Sequence, residues 1–295
     1  MIGIVVISYK NFQGTVDFIN NQLPKLKMSW KAVVIDNASD IKSSQQMAQV
    51  CEGVCTSALS TVTDEKNNVF IICSTENLGF AKGNNLGVEF LLRNFNCDYL
   101  LFSNDDIVIE DPLVLNKLTK AFEIDKNIAV AGPRVVGTDG AEQSPHHRIV
   151  TPLRQLGWKL LPFLRRKRKV QTVTTTSIVS SYCYWVTGAF FLMKTTDFTS
   201  VNGFDPATFL YAEEVILAER LKQIGKREYF YADSLVIHYG GQSTRNIRNK
   251  KLKKILKDSN SHYYRNYLHS NPFIIWLYRV PVSYTHLTLP TNSLV

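Results

Sequence analysis

Four short stretches of this sequence carry the residue types that chemistry needs. Asn104-Asp105-Asp106 follows an apolar run. Hard carboxylate oxygens at a strand end suit Mg or Mn, which keeps waters for a phosphate-bearing substrate. His238 closes another apolar run far along the chain. With an acidic strand end it would make a mixed N/O site acceptable to Mn. Glu213 and Glu214 adjoin. Two neighbouring carboxylates repel, so one can keep a raised pKa and act as general base toward a substrate hydroxyl. The same pair also suits the first turn of a helix, where the dipole favours negative charge. The stretch Asn77 to Gly87 reads Asn-Leu-Gly-Phe-Ala-Lys-Gly-Asn-Asn-Leu-Gly. It is neither a dinucleotide fingerprint nor a P-loop. Its glycines permit close backbone approach, and Lys82 could face a phosphate.

The elements that must position these residues are apolar runs alternating with helical patterns. Ile4-Val5-Val6-Ile7, Val33-Val34-Ile35, Val69-Phe70-Ile71-Ile72 and Tyr99-Leu100-Leu101-Phe102 read as buried strands. Val16, Ile19 and Leu23 recur at helical spacing after the first, and Val88, Leu91, Leu92 and Phe95 after the third. This alternation predicts an α/β fold with a mostly parallel central sheet and helices on both faces. Ligands in such sheets sit beyond the carboxyl ends of the strands. Those ends are unusually polar here: Ser8-Tyr9-Lys10-Asn11, Asp36-Asn37-Ala38-Ser39, Glu76-Asn77-Leu78-Gly79 and Asn104-Asp105-Asp106. One acid after a strand is an ordinary helix cap; several polar ends in one sheet point to a shared cleft. Later come a buried strand over 188–193, a helix through Leu217, Leu221 and Ile224, and a strand over 234–238. A basic helical run from Arg245 to Lys257 and an aromatic-rich segment from His262 to Tyr278 follow.

Composition excludes several classes. The chain has 295 residues, 45% hydrophobic and 20% charged, enough to bury a core and unlike a disordered or collagenous chain. Five cysteines at irregular spacing read as reduced thiols. No run of 18 apolar residues is present, and the N-terminus lacks a signal-peptide pattern. The net charge of +9 implies an anionic partner. Arg165-Arg166-Lys167-Arg168-Lys169 follows an apolar segment containing Trp158. That reads as an interfacial anchor on an anionic membrane or as a solvated basic loop. Nucleic acid is not expected, because the aromatics do not interleave with the cations. Residues 282–295 break register with what precedes them and read as a non-native tail, so the natural chain is expected to run further.

Taken in order, these motifs resemble a family 2 glycosyltransferase of the GT-A fold, in its rhamnosyltransferase-like branch. The resemblance runs from Gly3 to about Thr244. It is carried by Asp36-Asn37-Ala38-Ser39, Asn77 through Asn85, Asn104-Asp105-Asp106, Gly188-Ala189-Phe190, Gly203-Phe204-Asp205, Glu213-Glu214, and His238 with the Gly240-Gly241-Gln242-Ser243-Thr244 that follows. Each piece is weak alone; their joint order is strong. Two departures stand out. The family's final Asp after the acidic pair is Ile216, and Glu214 is one methylene longer than the usual aspartate.

The resemblance implies an inverting, metal-dependent transfer from a UDP-, dTDP- or GDP-sugar to a saccharide or lipid-linked acceptor, in cell-surface polysaccharide synthesis. Residues 1–244 would form the catalytic domain, with a nucleotide-binding part over about 1–110 and an acceptor part over 111–244. Residues 245–281 would be a basic and aromatic helical extension. Asp36 would meet the donor's base, with Ser8, Tyr9, Asn11 and Asn37 nearby. Asn77, Gly79 and Lys82 would lie along the donor. Asp106, with His238, would hold Mg or Mn beside Asn104 and Asp105. Glu214 would be the base, with Glu213 as the alternative, and Trp185 and Tyr211 would wall the acceptor. The expected location is cytoplasmic, at the inner face of the membrane. A non-catalytic relative and a sugar-nucleotide nucleotidyltransferase are the rival readings.

Overall fold

The computed structural model describes residues 1–63, 66–160, 178–240 and 249–280. The basic run 165–169 and the tail 282–295 therefore lie outside the described residues. Among those described, one mixed sheet organises the chain, in the strand order β3-β4-β2-β1-β5-β9-β7-β10-β6, with β8 on β10. The strands are β1 (Ile2–Tyr9), β2 (Trp30–Asn37), β3 (Val54–Thr56), β4 (Val69–Ser74), β5 (Tyr99–Asn104), β6 (Ile107–Ile109), β7 (Ile128–Gly137), β8 (Ser181–Cys183), β9 (Phe190–Lys194) and β10 (Arg227–His238).

The first half of the sheet is the parallel unit that the apolar runs predict: β1 pairs parallel with β2 and β5, and β4 with β2 and β3. Both faces are covered, so β1 is apolar up to Ile7. Alternate side chains of a strand point to opposite faces. Ile2, Ile4 and Val6 accordingly join one core, with α1 (Phe12–Asn21), α2 (Ile41–Val50) and α4 (Val114–Ile124). Val5 joins the other, with α3 (Gly79–Asn94) and α7 (Glu213–Gln223). The strand expected over 188–193 is β9, and it runs antiparallel to both β5 and β7. β10 returns parallel to β7, and β6 pairs antiparallel with its end.

Two features of the second half set up the site. Phe204 is fully buried against Phe102, Phe191 and Phe198, with ring centroids 5.0–6.5 Å apart. Such aromatic pairs contribute about 0.5–1.5 kcal/mol each beyond area burial, so Phe204 anchors the segment leading to Glu213. The C-terminal helices α8 (Asn249–Asn266) and α9 (Pro272–Arg279) then pack on α7. Tyr263, Tyr264, Ile275 and Tyr278 form one buried cluster with Ala212, Val215 and Ile216. α5 (Pro152–Leu160) and α6 (Thr195–Ser200) complete the helices of the described residues.

Candidate active site

A cavity of about 340 Å³ opens at the carboxyl ends of β1, β2 and β5. Its lining includes Tyr9, Asn37, Asn77, Gly79, Asn104, Asp106, Tyr211, Glu213, Glu214 and His238. Ten of the residues singled out from the sequence thus meet in one place, although they span 230 positions of chain.

The metal-type donors are brought together by strand pairing. His238 is in register with Ile107, and the Tyr239 amide donates to the Asp106 carbonyl at 3.0 Å. This puts the imidazole beside the strand end of β5. His238 Nδ1 lies 2.7 Å from Gln143 Oε1, which can only accept. Nδ1 therefore carries a proton, and in the neutral imidazole Nε2 is the ligand atom. Nε2 stands 3.1 Å from Asn104 Nδ2 and 3.1 Å from Asp106 Oδ1. Two ligands about 2.1 Å from one octahedral cation stand about that far apart. The donor set therefore fits Mg or Mn. Among the described residues no group of three or more His, Cys, Asp or Glu side chains could hold a metal. A two-donor site suits a cation that completes its shell with water and substrate phosphate.

Asp105 points the other way. Its Oδ2 accepts from Thr15 Oγ1 at 2.7 Å and Asn11 Nδ2 at 3.0 Å. Burial pushes its pKa up to about 6 despite the Thr15 hydrogen bond, and the Asp106 charge adds to the rise. The Ser8 hydroxyl lies 2.8 Å from Thr15 Oγ1 and can donate to it. Ser8, Asn11 and Asp105 thus form a buried polar cluster beneath the cavity floor. Asp36 is similarly occupied, accepting from Ser39 Oγ at 2.7 Å and Ser44 Oγ at 2.8 Å. Burial raises its pKa against those two hydrogen bonds. Lys82 sits on the exposed side of α3. None of Ser8, Asn11, Asp36, Lys82 and Asp105 lines the cavity.

The glycine-rich turn is built around one close backbone approach. Gly79 has φ +73°, and a Cβ there would come 2.2 Å from the Phe209 carbonyl oxygen. Only glycine permits this approach, which lets the Phe80 amide donate to Phe209 at 2.8 Å. Asn77 Oδ1 accepts from the Gly79 amide at 2.9 Å, and Asn37 Oδ1 from Leu78 at 3.3 Å. Asn37 Nδ2 is buried with no partner, leaving one donor free for a ligand.

Tyr211 and Ala212 both adopt positive φ, 74° and 71°. Such backbone costs on the order of 1–3 kcal/mol per residue, and it aims the start of α7 into the cavity. Glu214 Oε1 accepts from the Gly188 amide at 3.1 Å. A Cβ at Gly188 would stand 2.5 Å from that oxygen, which explains a glycine in Gly188-Ala189-Phe190. Glu213 is buried, and its Oε1 has no partner. Burial raises the pKa of both glutamates, and the Glu214 charge adds to the rise at Glu213. A third carboxylate behind them, Glu228, accepts from the Val186 amide at 2.9 Å and is pushed by burial up to about 8.

Tyr211 lines the cavity. Trp185 does not; it stacks on His146 with centroids 3.5 Å apart. Gln143, Thr187 and Phe209 escaped the sequence reading. Gln143 lies in an irregular segment with no periodicity to mark it, and the other two act mainly through backbone.

Comparison with known proteins bears directly on this geometry. The family model described as Glycosyl transferase family 2 matches residues 4–187. The chain is 25% identical over 277 residues to the rhamnosyltransferase WbbL of Escherichia coli (strain K12), covering 92% of this chain and 96% of that protein. A mannosyltransferase of Pyrobaculum calidifontis, PcManGT, solved with GDP-Man and Mn²⁺, superposes with a TM-score of 0.56 at 11% identity. That match covers 94% of this chain and 68% of the other. GalNAc-T7, solved with UDP, GalNAc and Mn²⁺, gives a TM-score of 0.58 at 14% identity, over 91% of this chain and 49% of the other. The fold is that of the GT-A glycosyltransferases.

Proposed function

The chain belongs to glycosyl transferase family 2 and is a glycosyltransferase, and from that premise we propose that it is an inverting, divalent-cation-dependent enzyme. It takes a nucleotide-diphospho-sugar as donor and extends a saccharide or lipid-linked acceptor in cell-surface polysaccharide synthesis. The observation that carries this reading is that Asp106, His238 and Glu214 line one cavity. The Mn²⁺-containing relatives and the rhamnosyltransferase relative support it.

Asn37, Asn77 and Tyr9 bind the donor's nucleoside side. Asp106 and His238 hold Mg or Mn, which would offset the charge gathering on the departing diphosphate. Gln143 fixes the tautomer that keeps His238 Nε2 available. Glu214, held by the Gly188 amide, accepts the proton of the acceptor hydroxyl. The freed oxygen forms its bond to the anomeric carbon as the bond to diphosphate breaks. Attack in line, with the acceptor oxygen entering opposite the departing diphosphate, inverts that carbon. The test is NMR of the product made from an α-linked UDP-, dTDP- or GDP-sugar. A β-linked product is expected, and an α-linked one contradicts the reading.

The C-terminal helices supply the membrane side of the proposal. Among the described residues no helix is long and apolar enough to cross a membrane. On α9, Phe273 and Trp276 are 64% and 58% exposed and stack with centroids 5.8 Å apart. Lys250, Lys251, Lys253 and Lys254 stand exposed on the adjoining α8. An apolar pair beside cations suits an anionic interface. The protein is expected to sediment with phosphatidylglycerol vesicles at low salt, and the Phe273→Ala, Trp276→Ala double variant to stay in solution. Equal sedimentation of the two proteins would contradict this surface.

A further inference from the structure

The segment from Gly203 to Ala212 is gripped from two sides. On the donor side, Asn85 Nδ2 donates to the Phe204 carbonyl at 2.8 Å and Asn85 Oδ1 accepts from the Phe204 amide at 2.9 Å. Phe80 donates to Phe209 at 2.8 Å. On the other side stands α8. Ser259 Oγ donates to the Leu210 carbonyl at 2.9 Å. His262 Nε2 lies 2.7 Å from Asp205 Oδ2, and Tyr267 OH donates to the same oxygen at 2.7 Å. Asn266 Nδ2 lies 2.8 Å from His262 Nδ1. The amide donates there, so Nε2 carries the proton given to Asp205. Arg220 Nε, on α7, donates to Tyr267 OH at 3.0 Å and Arg220 Nη1 to the Gly203 carbonyl at 2.9 Å. The other Asp205 oxygen accepts from Ala207 at 3.0 Å. Burial would raise the Asp205 pKa, yet the hydrogen bonds from Tyr267, Ala207 and His262 hold it below the usual value. A carboxylate with this many donors is a fixed point.

The strained pair Tyr211–Ala212 closes this segment, and Glu214 comes two residues later. Positive φ at two successive non-glycine residues persists only where the surroundings hold it. The same helix α8 lies beyond the 4–187 stretch that the family model matches. We propose that His262 and Tyr267 are positioning residues: acting through Asp205, the C-terminal helical pair sets the strained turn that aims Glu214 at the acceptor. The inference rests on Glu214 being the base.

The experiment compares wild type with Tyr267→Phe, His262→Ala and the conservative His262→Gln. Amide hydrogen exchange is read over 207–216 and over β1. Binding of UDP, dTDP and GDP with Mn²⁺ is read by calorimetry. Turnover is read with the donor sugar of whichever nucleotide binds. Misplacement of a reacting group by about 1 Å costs up to 10²-fold. For Tyr267→Phe and His262→Ala we expect about tenfold faster exchange over 207–216 and unchanged exchange in β1. Nucleotide affinity stays unchanged, and kcat falls by about tenfold at constant donor KM. His262→Gln, whose amide can still donate to Asp205, restores kcat. Unchanged exchange over 207–216, or an increase shared equally by β1, overturns the proposal. The exchange readout needs no substrate. Failure of Glu214 as the base would instead appear as full turnover in Glu214→Gln with the exchange pattern intact.

Discussion

Replacing Glu214 with glutamine is expected to lower turnover by about 10²–10⁴-fold, the usual contribution of a positioned general base. The variant keeps the shape of the site. Glutamine's Oε1 still accepts from the Gly188 amide, as the glutamate does. What it loses is the ability to take a proton. Thermal stability should hold or rise, because the wild-type carboxylate sits where burial raises its pKa and disfavours its charge. The sign of that linkage is definite. A carboxyl whose folded pKa exceeds its unfolded value stabilises the fold at low pH, and this is lost as pH rises through the folded pKa. Glu214→Gln therefore removes a pH-dependent loss of stability. The base must be ionised to work, so the wild-type rate should climb with pH along a limb lying above the ordinary carboxylate range. Glu213→Gln should retain turnover, because Glu214 remains to take the proton. Nucleoside diphosphate release in the presence of a saccharide acceptor, followed from pH 5 to 9, measures both variants. Wild-type turnover in Glu214→Gln would remove it from the mechanism.

The second large effect is expected at the paired donors. Asp106→Ala and His238→Ala each remove one of two atoms standing 3.1 Å apart. A bound divalent cation supplies several kcal/mol of charge stabilisation to a departing diphosphate, so each variant should lose at least about 10²-fold in turnover. Adding excess Mn²⁺ should restore little of it. Gln143→Ala should be milder, about 10–100-fold in metal affinity, since it only orients the imidazole. Asp105→Asn offers the contrast. Its oxygens face Thr15 and Asn11 rather than the cavity, so metal dependence should persist.

That contrast shows where the sequence could and could not be read. The parallel half was legible because strands buried on both faces are continuous apolar runs, as in β1, β2, β4 and β5. Their polar ends marked the cavity, and Tyr9, Asn37, Asn77 and Asn104 do line it. The choice of Asp106 over Asp105 came from the family resemblance, because the two residues themselves differ only in how the turn after β5 rotates them. The reversal of β9 was hidden for a similar reason: an apolar run does not encode strand direction. Gln143 acts from a loop, and nothing local marks it as the partner of a histidine 95 residues away. The aromatic residues of α8 and α9 stood out, but their packing on α7 is tertiary. A basic, aromatic extension gave no hint that Tyr263 and Tyr264 are fully buried beside Ala212 and Ile216.

The measurement that bears most directly on the central claim is thermal unfolding of the whole protein against UDP, dTDP, GDP and CMP, each with Mn²⁺, Mg²⁺ or EDTA. A ligand present at 100 times its Kd adds about 2.7 kcal/mol of apparent stability. The account predicts that one nucleoside diphosphate raises the midpoint with Mn²⁺ or Mg²⁺, that EDTA removes the rise, and that Asp106→Ala abolishes it. A cooperatively unfolding protein whose midpoint no nucleotide moves, or moves equally in EDTA and in Asp106→Ala, would contradict the account.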